Sequence, residues 1–147
     1  MTISIGADHA GFRYKGIIAR ILAARGIDLI DHGTDSDASV DYPDYAVTVA
    51  RDVAEGRAAF GVLVCGSGIG VAITADKVSG VRAANCITPE MAHLAREHND
   101  ANVLAIGERI VAEEDIEPIL EAFLSTEPSS NERHRRRIEK IHELTGC

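Results

Sequence analysis

Five apolar runs of strand length, each followed by a helical pattern, constrain this chain more than any other feature. The residues from Ile3 to Ala7 open the series, and "IDLIDHG", "FGVLVCG", "VRAANC" and "NVLAIG" continue it. Between them lie "FRYKGIIARILAARG", "YAVTVARDVAEG", "IGVAITADK" and "PEMAHLAREHN", whose apolar spacing is helical. Glycine stops the first two of these, at Gly26 and Gly56. Two further helices, "EEDIEPILEAFL" and "ERHRRRIEKIHEL", close the chain around the turn-rich "STEPSSN". Strands that alternate with helices in this way predict a parallel sheet covered on both faces. No internal repeat or composition break divides the chain, so residues 1–147 are expected to form one domain.

The expected architecture is a three-layer α/β/α, Rossmann-like (flavodoxin-like) fold. Its five parallel strands are expected in the order 2-1-3-4-5, with a C-terminal helix added. In such sheets ligands bind beyond the carboxyl ends of the strands, where the strand order reverses. Here that crevice falls between strands one and three, whose exit loops are "GADHAG" and "CGSGIG".

The second loop sits inside "GVLVCGSGIGVA", residues 61–72. Gly61 and Gly66 have the spacing of a P-loop, but Ser67 and Gly68 follow where lysine and Ser/Thr are required. A dinucleotide fingerprint fails as well, because the third glycine is Gly70 and Val71 holds its place. What is left is a tight turn opening a helix, whose backbone N–H groups suit a phosphate or a developing oxyanion. A plain strand-to-helix turn would look the same. Cys65, directly before the glycines, is either a small apolar strand end or a thiolate favoured by the helix start and able to act as base. Cys86 ends a strand without such a turn and reads as packing, and Cys147 as inert.

A formal net charge of −8 argues against a nucleic-acid partner or an anionic membrane surface. The cysteines are odd in number and lack CxxC spacing, which argues against disulfides or zinc and predicts a reducing, cytoplasmic setting. The N-terminus "MTISIGADHAG" has neither the basic start nor the apolar core of a signal peptide.

Other residues carry chemistry with a structural alternative beside it. Asp8 is a ligand-facing carboxylate or a helix cap, whereas His9 has no capping role. Asp41 in "DYPDY" suits a turn, and Tyr42 offers an aromatic wall and a hydroxyl. His98 and Asn99 stand where a helix ends; histidine suits a helix C-terminus and asparagine a turn. His93 and His98 are off a common helical face, and no metal motif is present. In the last helix Arg133, Arg136, Arg137 and Lys140 share one stripe, and Ile138, Ile141 and Thr145 lie on another beside His134. The basic stripe is either a solvated face or an anion grip, with Arg133 and Arg137 one turn apart.

Taken together, "GADHAGF", "DYPDYA", "VCGSGIGVAI", "REHNDANVLAIGER" and "RHRRR" resemble the ribose-5-phosphate isomerase B / galactose-6-phosphate isomerase family. The motifs run in the family's order over nearly the whole chain, and the cysteine at 65 resembles the ribose-5-phosphate branch. Members without that cysteine use an acidic residue where this chain has Val71. The resemblance implies interconversion of ribose 5-phosphate and ribulose 5-phosphate through an enediolate, with no metal and no cofactor. Cys65 matches the base and His98 the group that assists ring opening. Asp8, His9 and Tyr42 match sugar ligands. Gly66, Ser67, Gly68, Ile69 and Gly70, with Asn99, match the enediolate pocket. Arg109, Arg133 and Arg137 match phosphate ligands, with His134 nearby.

The family also implies a homodimer or homotetramer with sites shared between subunits, the helix near 131–145 reaching a partner. Ser67 stands for a frequent threonine and keeps the hydroxyl; two further departures, Asp76 for asparagine and Asn131-Glu132 for two glycines, bear on the substrate. Galactose 6-phosphate, allose 6-phosphate and erythrulose 4-phosphate isomerisation are the enzymatic alternatives. A phosphate-ligand-binding module without turnover is the other.

Overall fold

The computed structural model describes residues 1–147. In chain order the elements are β1 (Thr2–Ala7), α1 (Phe12–Ala24), β2 (Asp28–Asp31), α2 (Tyr42–Ala54), β3 (Phe60–Cys65) and α3 (Ile69–Ala75). They continue as β4 (Ala83–Asn85), α4 (Pro89–Asn99), β5 (Val103–Gly107), α5 (Glu113–Ser125) and α6 (Glu132–Thr145). All four strand pairs are parallel. None of the helices is long and apolar enough to cross a membrane.

The strand order is β2-β1-β3-β5-β4, which corrects the expected 2-1-3-4-5 by exchanging the last two strands. Burial gives the reason. Every residue of β5 is buried, whereas β4 is three half-buried residues long. A run buried on both faces belongs inside the sheet, and a short polar-ended strand belongs at its edge. The fold class and the switch point between β1 and β3 are unaffected.

Alternation along the strands divides the core in two. Val62, Val64, Leu104 and Ile106 join Ile3, Ile5 and Ala7 under α1, α4 and α5. Leu63, Cys65, Val103 and Ala105 point the other way, under α2 and α3. The helices match: Tyr14, Ile18 and Leu22 in α1 lie four residues apart, and Ile116, Ile119, Leu120 and Phe123 make one stripe of α5. The catalytic-looking cysteine therefore belongs to the smaller α2/α3 face.

That face also holds a buried polar network. The Ser4 hydroxyl donates to Asp52 Oδ2 at 2.7 Å, His32 Nε2 lies 2.6 Å from the same oxygen, and Arg57 Nε donates to Oδ1 at 2.7 Å. Burial opposes ionisation of Asp52, but the hydrogen bonds from His32, Ser4 and Arg57 outweigh it and hold the carboxyl below its usual range. A folded-state value below the unfolded one adds stability above the ordinary value of 3.8, and that stability is lost as pH falls through the folded value. Urea unfolding followed from neutral pH into acid should therefore show an acid limb that is shallower in Asp52→Asn. At neutral pH the same substitution should cost about 3 kcal/mol, because it leaves the Arg57 guanidinium without its anion.

Candidate active site

The first wall is the exit of β1. Asp8 Oδ1 accepts the N–H groups of Ala10 at 2.9 Å and Gly11 at 3.1 Å and so closes the turn before α1; the helix itself starts at Gly11 without a side-chain cap, which corrects the capping alternative. The turn occupies one oxygen; Oδ2 has no protein partner and the residue lines the cleft. Gly11 lets this turn lie against β3, since a Cβ there would stand 2.6 Å from the Val64 carbonyl. His9 docks its Nδ1 side on the backbone of Val40 at 3.2 Å, which leaves Nε2 without a protein partner.

The second wall is the glycine loop. Beyond Cys65 the chain turns through Gly68, at φ +77°, into α3. The Gly68 N–H donates to Cys65 Sγ at 3.2 Å, the polarity that a sulfur serving as base requires. The N–H groups of Gly66 and Ser67 donate to no backbone or side-chain acceptor and so are available to an anion. Gly70 lies under the Tyr42 ring, whose carbons would come within 2.7 Å of a Cβ. Arg109 follows β5, donates its N–H to the Gly66 carbonyl at 3.0 Å, and lays its guanidinium over Gly66.

These loops enclose a cleft of about 390 Å³ that holds Asp8, His9, Tyr42, Cys65, Gly66 and Arg109. It lies at the switch point expected from topology. A sulfur with an N–H aimed at it, free backbone donors, an imidazole, a carboxylate and a phenol thus face one volume. The set suits proton transfer on a hydroxylated carbon chain that develops oxyanion charge. The other buried thiol is of a different kind: burial alone pushes Cys86 up to about 11, and it sits in the core among apolar neighbours.

The remaining expected site residues gather elsewhere. α4 runs back against the strand direction, so His98 and Asn99, at its end, lie at the amino edge of the sheet. The Asn102 carbonyl there accepts the N–H of Gly61 at the start of β3. Four residues of strand, roughly 13 Å, separate Gly61 from Cys65. His98 stacks on His134 of α6 with ring centroids 4.2 Å apart and planes 5° from parallel. Burial, reinforced by the charges of His98, Arg133 and Arg137, holds the His134 imidazole below the ordinary histidine range. Arg133 and Arg137 are exposed and form no ion pair. One chain therefore carries the two groups of expected site residues at opposite edges.

The departures at Asn131 and Asp76 fall in or beside this second group, whereas Ser67 lies in the glycine loop. Asn131 caps α6 by accepting the Arg133 N–H at 3.0 Å. Asp76 accepts the Ala83 N–H at 2.7 Å and lines a groove with Asn99, far from Cys65. Sequence reasoning missed Asn85, Gly107 and Glu108. Glu108 donates its N–H to the Cys65 carbonyl at 2.9 Å, while its carboxylate accepts the Tyr14 N–H at 3.0 Å and caps α1 from a distance. Only the fold brings these residues against Cys65 and the glycine loop.

A family model described as Ribose/Galactose Isomerase matches residues 3–141. The chain belongs to this family. It is 45% identical to ribose-5-phosphate isomerase B of Escherichia coli (strain K12), over 95% of this chain and 93% of that protein. A solved ribose-5-phosphate isomerase B from Clostridium thermocellum superposes with a TM-score of 0.96 at 44% identity, covering 99% of this chain and 98% of that one. The enzyme of the same name from Mycoplasma genitalium, solved with bound ribulose-5-phosphate, gives 0.93 at 38% identity over 99% and 96% of the two chains. The ribose/galactose isomerase fold thus accounts for the whole arrangement of strands and loops around the cleft.

Proposed function

We propose that the protein is an aldose–ketose isomerase that interconverts ribose 5-phosphate and ribulose 5-phosphate. The observation that carries this reading is Cys65 Sγ, in a cleft at the switch point, with the Gly68 N–H directed at it. The named relatives supply the substrate. In the open-chain aldose, Cys65 as thiolate takes the C2 proton and leaves an enediolate. It returns a proton to C1, while the O2 proton passes to O1, so that the aldehyde becomes a primary alcohol and C2 a ketone. Free N–H groups at Gly66 and Ser67 stabilise the oxyanion as it forms. Asp8, His9 and Tyr42 bind sugar hydroxyls, and Ile69 and Gly70 complete the loop around the enediolate. No step calls for a metal or a cofactor.

His98 as ring opener, Asn99, and the phosphate ligands Arg133 and Arg137 with His134 come from a second copy of the chain. Three observations support this. The two half-sites of one chain are separated by the sheet, the arginines are unpaired, and α6 buries only His134 while Ile141 and Leu144 remain 43% and 76% exposed. A helix so little covered by its own chain is suited to packing on another. Arg109, across the cleft, meets the same phosphate. A two-fold homodimer uses both half-sites twice. Its three free cysteines fit a reducing cytoplasm.

The test is a panel of four-, five- and six-carbon sugar phosphates followed for aldose-to-ketose conversion. Ribose 5-phosphate should show the highest kcat/KM. Faster turnover of galactose 6-phosphate or allose 6-phosphate would reassign the substrate, and binding without any turnover would reduce the protein to a phosphate-ligand-binding module.

A further inference from the structure

We infer that Asn85 is a positioning residue for Cys65, acting through one peptide unit of the glycine loop. Asn85, the last residue of β4, donates from Nδ2 to the Ser67 carbonyl at 3.3 Å. The N–H at the other end of that Ser67–Gly68 peptide is the one that reaches Cys65 Sγ, at 3.2 Å. A trans peptide is planar and points its C=O and N–H in opposite directions, so fixing the oxygen aims the hydrogen. Hydrogen bonds in series also polarise one another, and donation at the oxygen strengthens donation at the nitrogen.

The peptide is closely packed on both sides. Gly68 is left-handed, and a side chain on it would run into Asn85 Oδ1 and the Gly107 nitrogen. A Cβ on Gly107 would stand 2.5 Å from the Ser67 carbonyl carbon. Stability does not explain the asparagine. Its Oδ1 is buried without a partner, a cost that an apolar residue of similar size would avoid. Turning the amide over would set Oδ1 against the Ser67 oxygen and lose the one hydrogen bond the side chain makes.

The inference rests on the reading of Cys65 as base only for its effect on turnover; the effect on the sulfur is read without substrate. The experiment is iodoacetamide alkylation of Cys65 as a function of pH, in parent and Asn85→Leu, both carrying Cys147→Ser and followed on the Cys65 peptide. In Asn85→Leu the rate near neutral pH should fall about threefold and rejoin the parent rate in base, a displacement of about half a pH unit. The rising limb of kcat/KM against pH should move by the same amount, with little change in KM. An unmoved alkylation profile overturns the inference, and so does a rate lowered equally at every pH. Should Asn85→Leu not fold, Asn85→Ala decides: it removes the donor without adding a charge, and its profile must move in the same direction. If the sugar-phosphate panel shows no turnover while the alkylation profile moves, the isomerase reading fails and the positioning role stands.

Discussion

Cys65→Ala is expected to lower kcat for ribose 5-phosphate by about 10³-fold, the usual scale for loss of a positioned acid–base group. Sugar-phosphate binding, measured by calorimetry, should change little. The asymmetry follows from where the sulfur sits. Cys65 ends β3 beneath the glycine loop, and its contact with the loop is the Gly68 N–H. Truncation removes the base and leaves that N–H without its acceptor, but the cradle of Gly66 to Gly70 and the carboxylate of Asp8 stay in place. Cys86 cannot take over, because it lies buried in the opposite core cluster and burial pushes it up to about 11. Alkylation of the parent protein should likewise inactivate it, with sugar phosphate protecting.

Restoration of activity by mixing two dead proteins is the second large effect. Arg133→Ala/Arg137→Ala removes two charge-assisted phosphate contacts and should lower kcat/KM by roughly 100-fold or more. Unfolded together with Cys65→Ala and refolded at equal amounts, it should give about a quarter of parental activity, because half the dimers then hold one intact site of two. The geometry demands this result if the half-sites meet across subunits, since within a chain His98 and the arginines lie at the amino edge of the sheet and Cys65 at the carboxyl edge. A mixture no more active than its two components would place the whole site in one chain.

The alternation of apolar runs and helices was enough to read the layers, the parallel sheet and the crevice between β1 and β3. The order of β4 and β5 differs from the expectation although its signal is present: "VLAIG" is apolar throughout, as an interior strand must be, while "VRAANC" carries Arg82 and Asn85 near its ends. Asp8, His9 and Cys65, which line the cleft, are legible because they stand where β1 and β3 end, and Tyr42 because it opens α2 in "DYPDY". Asn85 and Gly107 are not, because their partner Ser67 lies 18 and 40 residues away in sequence and the contacts exist only once β4 and β5 are stacked beside β3. The separation of His98 from Cys65 was implicit in topology, since a helix that follows a parallel strand returns to the opposite edge.

In the proposed reaction Cys65 moves a carbon-bound proton of ribose 5-phosphate. Proton NMR of ribose 5-phosphate in D2O tests it most directly. The parent protein should convert it to ribulose 5-phosphate and introduce solvent deuterium at C1 as Cys65 exchanges its proton with water, while Cys65→Ala should do neither. Conversion and exchange by Cys65→Ala at near-parental rate would contradict the account.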